Sequence, residues 1–415
     1  MKVLHVADIS IPTTIGYTSR TRYIVGTQKA LGLDPIVLTS PRHESPDHRA
    51  VEVLDGIHHH RSPHKPGTPI PVELNILRQR VVEVAREEKP DIIHAHSSIL
   101  CGIPAYAAAR QLGLPMVYEI RAFWEDAAVD ARTNSGPGSA KYESIRFAET
   151  RLAKGADALI GICKGIKDDL VARDIPAEDI FVVPNGVDTD KFVPLPPNEA
   201  VREKYGLQGK KVVAYIGTFA AFEGVRYLVQ ALIKLIKSGR DDIRGLIVGE
   251  GETYEACKQL AKDAGMEDKI LHPGKVPHAD VNGLYSIIDV LAYPRDSQRI
   301  TELVTPLKPL EALAMEKGVV ASNVGGLLEL IQDNVTGLIH KAEDVDDLVA
   351  KIVQLIDDPV LRARLGKTGR EWVIANRQWR TIIGKEIDVY THARTRWSRH
   401  SWAWQGIGKT FEWLR

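Results

Sequence analysis

Short apolar blocks recur along the chain, and between them lie segments whose apolar positions fall three and four residues apart. The first pattern suits buried parallel strands and the second suits amphipathic helices. Residues 2–7 open as a strand, a loop with Pro12 and Gly16 as breakers follows, and a helix over 20–31 leads into a strand over 35–39. Further strands are expected over 90–97, 115–120, 158–162 and 181–183. Helices are expected over 73–88, over 105–112 closed by Gly113, over 142–154, and on to Arg173. Residues 192–209, with Pro194, Pro196 and Pro197, form a linker carrying a short helix. The alternation then restarts, with strands over 211–217, 245–249, 269–274, 289–295 and 319–321 and an amphipathic helix over 225–238. This predicts an α/β chain of two Rossmann-like doubly wound domains, 1–192 and 210–376, joined by 193–209. A helix to Tyr390 and a Trp/Arg-rich tail fill 377–415, the helix packing back toward the N-domain. In such sheets ligands sit beyond the C-terminal ends of the strands, and two such domains facing a cleft favour a ligand between them.

Composition narrows the class. At 415 residues the chain exceeds what one core usually covers. Lys plus Arg equals Asp plus Glu at 54 each, so charge gives no reason to expect nucleic acid as a partner. Cys101, Cys163 and Cys257 form no CxxC pair, which argues against a disulfide framework or a zinc site and fits a reducing cytosol. Asp8 comes too early for a signal peptide, and no apolar run is long enough to span a bilayer. Three adjacent histidines, His58, His59 and His60, alternate faces on a strand, so they are not expected to converge on one ion. The tail mixes Trp397, Trp402, Trp404, Phe411 and Trp413 with Arg394, Arg396, Arg399, Lys409 and Arg415. Aromatics at headgroup depth beside cations suit peripheral contact with an anionic membrane.

The richest chemistry lies over 301–322. Thr305 can cap a helix, Pro306 or Pro309 can start it, and Gly318 stands where it could end in the left-handed conformation. The helix mouth carries Glu302, Lys308 and Glu311, a set able to hold a phosphate and grip hydroxyls beside it. In the first half, Gly16, Tyr17, Arg20 and Arg22 follow the first strand. His96 lies nearer its strand end than His94, and Arg121, Trp124, Glu125 and Asp126 close the strand over 115–120.

Val183–Asp188, Gly249-Glu250-Gly251 and the stretch from Glu302 to Gly318 together resemble the retaining GT-B glycosyltransferases of family 4, over residues 1–390. The most specific part is Lys308-Pro309-Leu310-Glu311-Ala312 followed by Gly318-Val319-Val320-Ala321. Residues 16–22, 118–126 and 301–308 look like the subgroup found with exosortase and exopolysaccharide genes. The resemblance implies a nucleotide-sugar donor held mainly by the C-terminal domain and a glycan or lipid-linked acceptor held mainly by the N-terminal one. It also implies retention at the anomeric carbon, no metal or other cofactor, and a cytoplasmic enzyme, peripheral at the inner face of the plasma membrane if the tail binds lipid.

Carried over by position, Glu311 matches the glutamate that hydrogen-bonds the ribose, and Glu302 the one that faces the donor sugar. One residue more than usual separates them here. Gly217 matches the glycine that approaches the diphosphate, and Val276 the position whose backbone reads the base. Thr218 and Glu223 stand where many members place Arg and Lys, so Arg295, Lys308 and the helix start at Pro306 are expected to hold the phosphates, with Gly16 beside the donor. Arg121 occupies about the place of the family's N-domain histidine. It can stabilise a leaving group but cannot act as a base. If a base is needed, His96, Glu119, Glu125 and Asp126 are the candidates. Tyr17, Arg20, Trp124 and Glu125 are the acceptor-side residues. An epimerase of the same architecture and a catalytically weak sugar-nucleotide-binding scaffold are the alternative readings.

Overall fold

The computed structural model describes residues 1–13, 15–44, 50–63, 67–127, 129, 136–277 and 280–411, with side chains through Arg399. The chain divides into two units, Met1–Pro184 with Trp379–Arg415, and Asn185–Gln378. Residues 185–192 and the Pro-rich linker therefore fold with the second unit.

The first unit runs β1 (Lys2–Ala7), α1 (Gly16–Ala30), β2 (Asp34–Thr39), β3 (Val51–Leu54), β4 (Ile57–Arg61), α2 (Ile70–Glu88), β5 (Ile92–His96), α3 (Ile99–Leu112), β6 (Met116–Ile120), α4 (Trp124–Ala127), α5 (Ala140–Gly155), β7 (Ala158–Gly161), α6 (Lys164–Ala172) and β8 (Ile180–Val182). The strand order is β3-β4-β2-β1-β5-β6-β7-β8, parallel except for the β3–β4 hairpin. Strands β1, β5, β6 and β7 are buried along nearly their whole length, as a sheet covered on both faces requires.

The second unit runs α7 (Glu199–Lys204), β9 (Lys211–Thr218), α8 (Val225–Lys237), β10 (Ile243–Glu250), α9 (Tyr254–Asp263), β11 (Ile270–Gly274), α10 (Val281–Ile287), β12 (Val290–Tyr293), α11 (Arg299–Leu303), α12 (Lys308–Ala314), β13 (Gly318–Ser322), α13 (Gly325–Leu328), β14 (Leu338–His340), α14 (Val345–Asp357) and α15 (Pro359–Asn376). Its strand order, β11-β10-β9-β12-β13-β14, is the dinucleotide-binding order 3-2-1-4-5-6. Strand order reverses between β9 and β12 here, and between β1 and β5 in the first unit. Ligands of such sheets bind outside those strand ends. Then α16 (Trp379–Gly384) and α17 (Glu386–Phe411) return to the first unit, where Tyr23 stacks on Trp379 at 5.0 Å.

Several expected boundaries move. Helix α1 begins at Gly16 rather than Arg20, because Ile15 N–H donates to Thr18 Oγ1 and closes the first turn early. Helix α3 begins at Ile99, capped by Ser98 and carrying Pro104 inside it. The helix before β13 starts at Lys308, after an N-cap at Leu307. Thr305 Oγ1 is buried without a hydrogen-bond partner, so it caps nothing. The left-handed residue after that helix is Glu316 (φ 54°), and Gly318 is already strand. Helix α17 continues to Phe411 instead of stopping near Tyr390. Its described part packs on the first unit, with Arg110 over the Trp397 ring at 4.3 Å and Arg396 paired to Asp179. The side chains of Trp402, Trp404, Lys409 and Phe411, and residues Trp413 and Arg415 entirely, lie outside the described residues. No described helix is long and apolar enough to cross a membrane.

Candidate functional site

In the first unit a buried carboxylate collects the candidate residues. Glu119 lies on β6, beside His96 at the end of β5. Arg20 forks onto it, Nε to Oε1 at 3.3 Å and Nη2 to Oε2 at 3.1 Å, and Arg121 Nε donates to Oε1 at 2.6 Å. Burial alone would raise the Glu119 carboxyl, but the two guanidiniums outweigh it and hold its pKa well below the usual range. Glu119 is therefore ionised and fully engaged, which removes it as a base.

Arg121 is fixed on three sides. Besides Glu119, it donates from Nη1 to the Tyr17 carbonyl at 2.7 Å and from Nη2 to His96 Nδ1 at 2.8 Å. Its guanidinium also lies 4.3 Å from the centroid of the Tyr17 ring. Those bonds use three of the five donors of an arginine.

The proton positions behind Arg121 follow from one amide. Gln28 Nε2 donates to Glu386 Oε2 at 2.6 Å and to Tyr390 Oη at 2.7 Å, so Gln28 Oε1 must accept from His5 Nε2 at 2.8 Å. His5 Nδ1 then accepts from His96 Nε2 at 3.0 Å, which leaves the lone pair of His96 Nδ1 to accept from Arg121, with Glu119 Oε1 3.1 Å from the same nitrogen and bonded to the same guanidinium. A one-way hydrogen-bond chain thus runs from Arg121 through His96 and His5 to Gln28 and helix α17. Each imidazole carries a single proton in this assignment. Burial, then the Arg121 charge, lowers His96 to about 4; burial, then His96, lowers His5 to about 3. A neutral histidine whose lone pair already serves Arg121 is not poised as a base. His96 is a positioning group.

Three other first-unit candidates, Arg20, Glu125 and Asp126, are buried and paired within the protein. Arg20 is 2% exposed and spends its remaining donors on the Pro184 and Val183 carbonyls, so it clamps the chain after β8 instead of facing an acceptor. Glu125 is 1% exposed and takes Arg173 Nη2 at 2.6 Å. Asp126 accepts from Tyr142 Oη at 2.7 Å. Trp124 is half-buried, its N–H donating to Glu149. Gly16 is exposed at the start of α1, and Tyr17 is half-buried with its hydroxyl accepting from the Asp8 N–H. Arg22 pairs with Asp55 on the surface.

In the second unit the strand ends at the β9/β12 switch point carry most of the expected set. Gly217 and Thr218 end β9, and Thr218 is exposed. A Cβ on Gly249 would stand 1.8 Å from the Gly217 carbonyl, and one on Gly251 2.7 Å from Phe219 N. The Gly-Glu-Gly triplet is thus required by the close approach of two strand ends. Gly224 (φ 65°) precedes α8, and its Cβ would meet the Pro294 carbonyl at 2.0 Å, which brings the start of α8 against the end of β12. Tyr293, the last residue of β12, donates to the Lys308 carbonyl at 3.1 Å and brings the start of α12 to the same end.

Glu311 accepts from Tyr285 Oη at 3.0 Å and from Lys308 Nζ at 3.1 and 3.0 Å to its two oxygens. Lys308 is a third exposed. Arg295 is differently placed from the expectation of a free phosphate ligand. It is buried, forks onto Glu223 (3.0 and 2.5 Å) and donates to the Val304 carbonyl. Glu223 therefore neutralises that cation within the protein, and neither residue is open to a phosphate. Glu302 sits in its own short helix, α11, apart from α12. The extra residue in the spacing is taken up in the break over 304–307. Its carboxylate accepts from Ser297 Oγ at 2.8 Å and from the Gly325 N–H at 2.7 Å. Gly325 and Gly326 also belong to this region. A Cβ on either would fall 2.4 or 2.2 Å from the Glu302 or Val304 carbonyl, and the adjacent glycines are the sequence signal of that close approach. Val276 is half-buried against the core, Pro306 is half-buried, and Asn185 Nδ2 donates to the Thr305 carbonyl.

Comparison with known proteins gives the same division. Residues 16–186 match the model of the glycosyl transferase 4-like domain, and residues 197–372 that of the glycosyl transferases group 1. A GDP-mannose-dependent alpha-(1-6)-phosphatidylinositol monomannoside mannosyltransferase of Mycolicibacterium smegmatis is 30% identical over 57% of this chain and 62% of its own length. The chain thus spans about three fifths of that relative. A GDP-mannose-dependent alpha-mannosyltransferase of the same organism is 27% identical over 94% of this chain and 97% of its own length. Among solved structures, a glycosyltransferase from Rickettsia africae covers 94% of this chain and 98% of its own, at a TM-score of 0.75 and 21% identity. HepE of Anabaena in complex with UDP-glucose covers 94% and 99%, at 0.74 and 18%. At those identities the two structures speak for the fold alone: a pair of parallel α/β sheets of the GT-B kind.

Proposed function

Because its two halves match the models of the glycosyl transferase 4-like domain and the group 1 glycosyl transferases, we propose that the chain is a retaining glycosyltransferase. It moves a hexose from a nucleotide-sugar donor to a glycan or lipid-linked acceptor. The observation that carries this reading lies within the second unit. The starts of α8 and α12, with Gly217, Lys308 and Glu311, gather at the C-terminal end of a sheet in dinucleotide-binding order. Orphan N–H groups at a helix start favour phosphate, and a carboxylate accepts from vicinal hydroxyls.

In this reading Glu311 takes the ribose hydroxyls and Lys308, on its flexible stem, leaves Glu311 for the phosphates as the donor arrives. Glu302, held from both sides by Ser297 and Gly325, faces the sugar. The backbone at Val276 reads the base. Front-face substitution needs a stabilised leaving diphosphate more than a protein base. Arg121 is the proposed fixed cation, already oriented by Glu119, Tyr17 and His96, so little reorganisation is needed at the moment of reaction. No metal is assigned to the reaction. Residues 16–22, 118–126 and 301–308 favour a place in exopolysaccharide synthesis, and a lipid-linked acceptor would bring a cytoplasmic protein to the inner face of the plasma membrane.

Glu311→Ala is expected to weaken nucleotide-sugar binding by about 1.5–3 kcal/mol, roughly ten- to a hundredfold, since a charge-assisted hydrogen bond is lost. A panel of nucleotide sugars scored by thermal shift identifies the donor, because a ligand that binds only the folded state raises its stability. Calorimetry with that donor then compares the two chains. Equal affinity of the Glu311→Ala chain would refute the ribose assignment.

A further inference from the structure

We propose that His58, His60 and Glu88 form a binding site for a divalent transition-metal ion on the first unit, separate from the residues assigned to glycosyl transfer. The alternation of side chains along a strand excludes only His59. That residue leaves the β4 face shared by its neighbours and places Nδ1 3.2 Å from Ser10 Oγ. His58 and His60 lie two residues apart on β4, and the carboxylate missing from the local sequence comes from the last residue of α2. Glu88 Oε1 lies 3.1 Å from His60 Nε2 and 3.6 Å from His58 Nδ1. A tetrahedral zinc ion with bonds of about 2.0–2.1 Å separates its ligand atoms by about 3.3 Å. The two separations from Glu88 Oε1 bracket that value, and all three ligand atoms lie within 4.8 Å of one another, so rotation of the exposed His58 ring would close the set.

The surroundings favour an ion. His60 is 1% exposed and anchors one side, while His58 is 55% exposed and gives an entry path. Lys2 Nζ donates to the other carboxylate oxygen, Oε2, at 3.1 Å. That bond orients Glu88 and leaves Oε1 turned to the histidines, the supporting role that outer partners play around metal ligands. Asp34, 3.5 Å from Lys2, offsets the lysine charge. Burial lowers the pKa of His60 below the usual imidazole value. Burial alone would raise Glu88, but its bonds to Lys2 and His60 outweigh that and keep it ionised. Two imidazoles and one carboxylate select zinc, nickel, cobalt or copper over magnesium and calcium. A second histidine group, His5, His94 and His96, is fully buried, and its ring nitrogens are committed to the hydrogen-bond chain behind Arg121 except for His94 Nε2.

Titrating the tag-free full chain with zinc chloride at pH 7 in a calorimeter tests the site. One saturable equivalent is expected, with affinity reduced more than about tenfold in H58Q and in E88Q, since losing a ligand costs at least as much as losing an outer partner. H59N should bind as the parent does. Zinc should also raise the unfolding midpoint of the parent and not of H58Q, whose exposed position keeps folding out of the comparison. No saturable binding, or binding that H58Q and E88Q leave unchanged, would overturn the proposal.

Discussion

The Glu119→Ala chain is expected to lose about 3–5 kcal/mol of folding stability, because it leaves two buried guanidiniums without their counter-charge. Arg20 and Glu119 are 2% and 0% exposed, and both oxygens of the carboxylate are in use. Water cannot replace the lost partner without opening the end of β6. The damage should spread, since Arg20 also holds the Val183 and Pro184 carbonyls and Arg121 terminates the chain through His96 and His5 to Gln28. Glu119→Gln keeps the shape and an acceptor and should lose less. Urea denaturation followed by circular dichroism measures both. A loss below about 1 kcal/mol would mean that the site behaves like an exposed ion pair.

Arg121→Ala should lower kcat by about 10²–10³, the usual effect of removing one oriented donor from a developing charge. Folding is expected to survive, because Glu119 keeps the Arg20 fork. Affinity for the free nucleotide sugar should change little, which separates a transition-state role from donor binding. Arg121→Lys retains the charge but not the planar fork that reaches Glu119 and His96 together, so it should restore only part of the rate. Unchanged kcat in Arg121→Ala would remove this residue from the reaction.

Much of the fold is legible in the apolar pattern. The parallel strands are continuous apolar blocks, and the restart at Lys211 is visible without coordinates. The β3–β4 hairpin was hidden in a polar, His-rich region, although Asp55-Gly56 at its turn, both at positive φ, is a strong hairpin signal. Site residues were harder. A charge near a strand end looks the same in sequence whether it waits for a ligand or is already paired. Arg20, Glu125 and Arg295 are all paired, to Glu119, Arg173 and Glu223, partners 99, 48 and 72 residues away. Only the tertiary fold brings them together, so their burial could not be read locally. The histidine chain behind Arg121 is illegible for the same reason. Its members come from β1, α1, β5 and α17. Glu311, by contrast, stands three residues after Lys308 on one helix, and that pairing is local enough to be read from spacing.

The reaction assigned to the chain is transfer of a sugar from a nucleotide donor. The most direct test follows nucleoside diphosphate release from the donor found in the panel, with and without a lipid-linked glycan extract, and isolates the products. Diphosphate release that requires the acceptor, with the sugar recovered on it, is the predicted result. Conversion of the donor to a different nucleotide sugar with no diphosphate released would point to an epimerase. Tight binding of a donor without turnover, in the presence of every acceptor fraction, would contradict both enzyme readings and leave a binding scaffold.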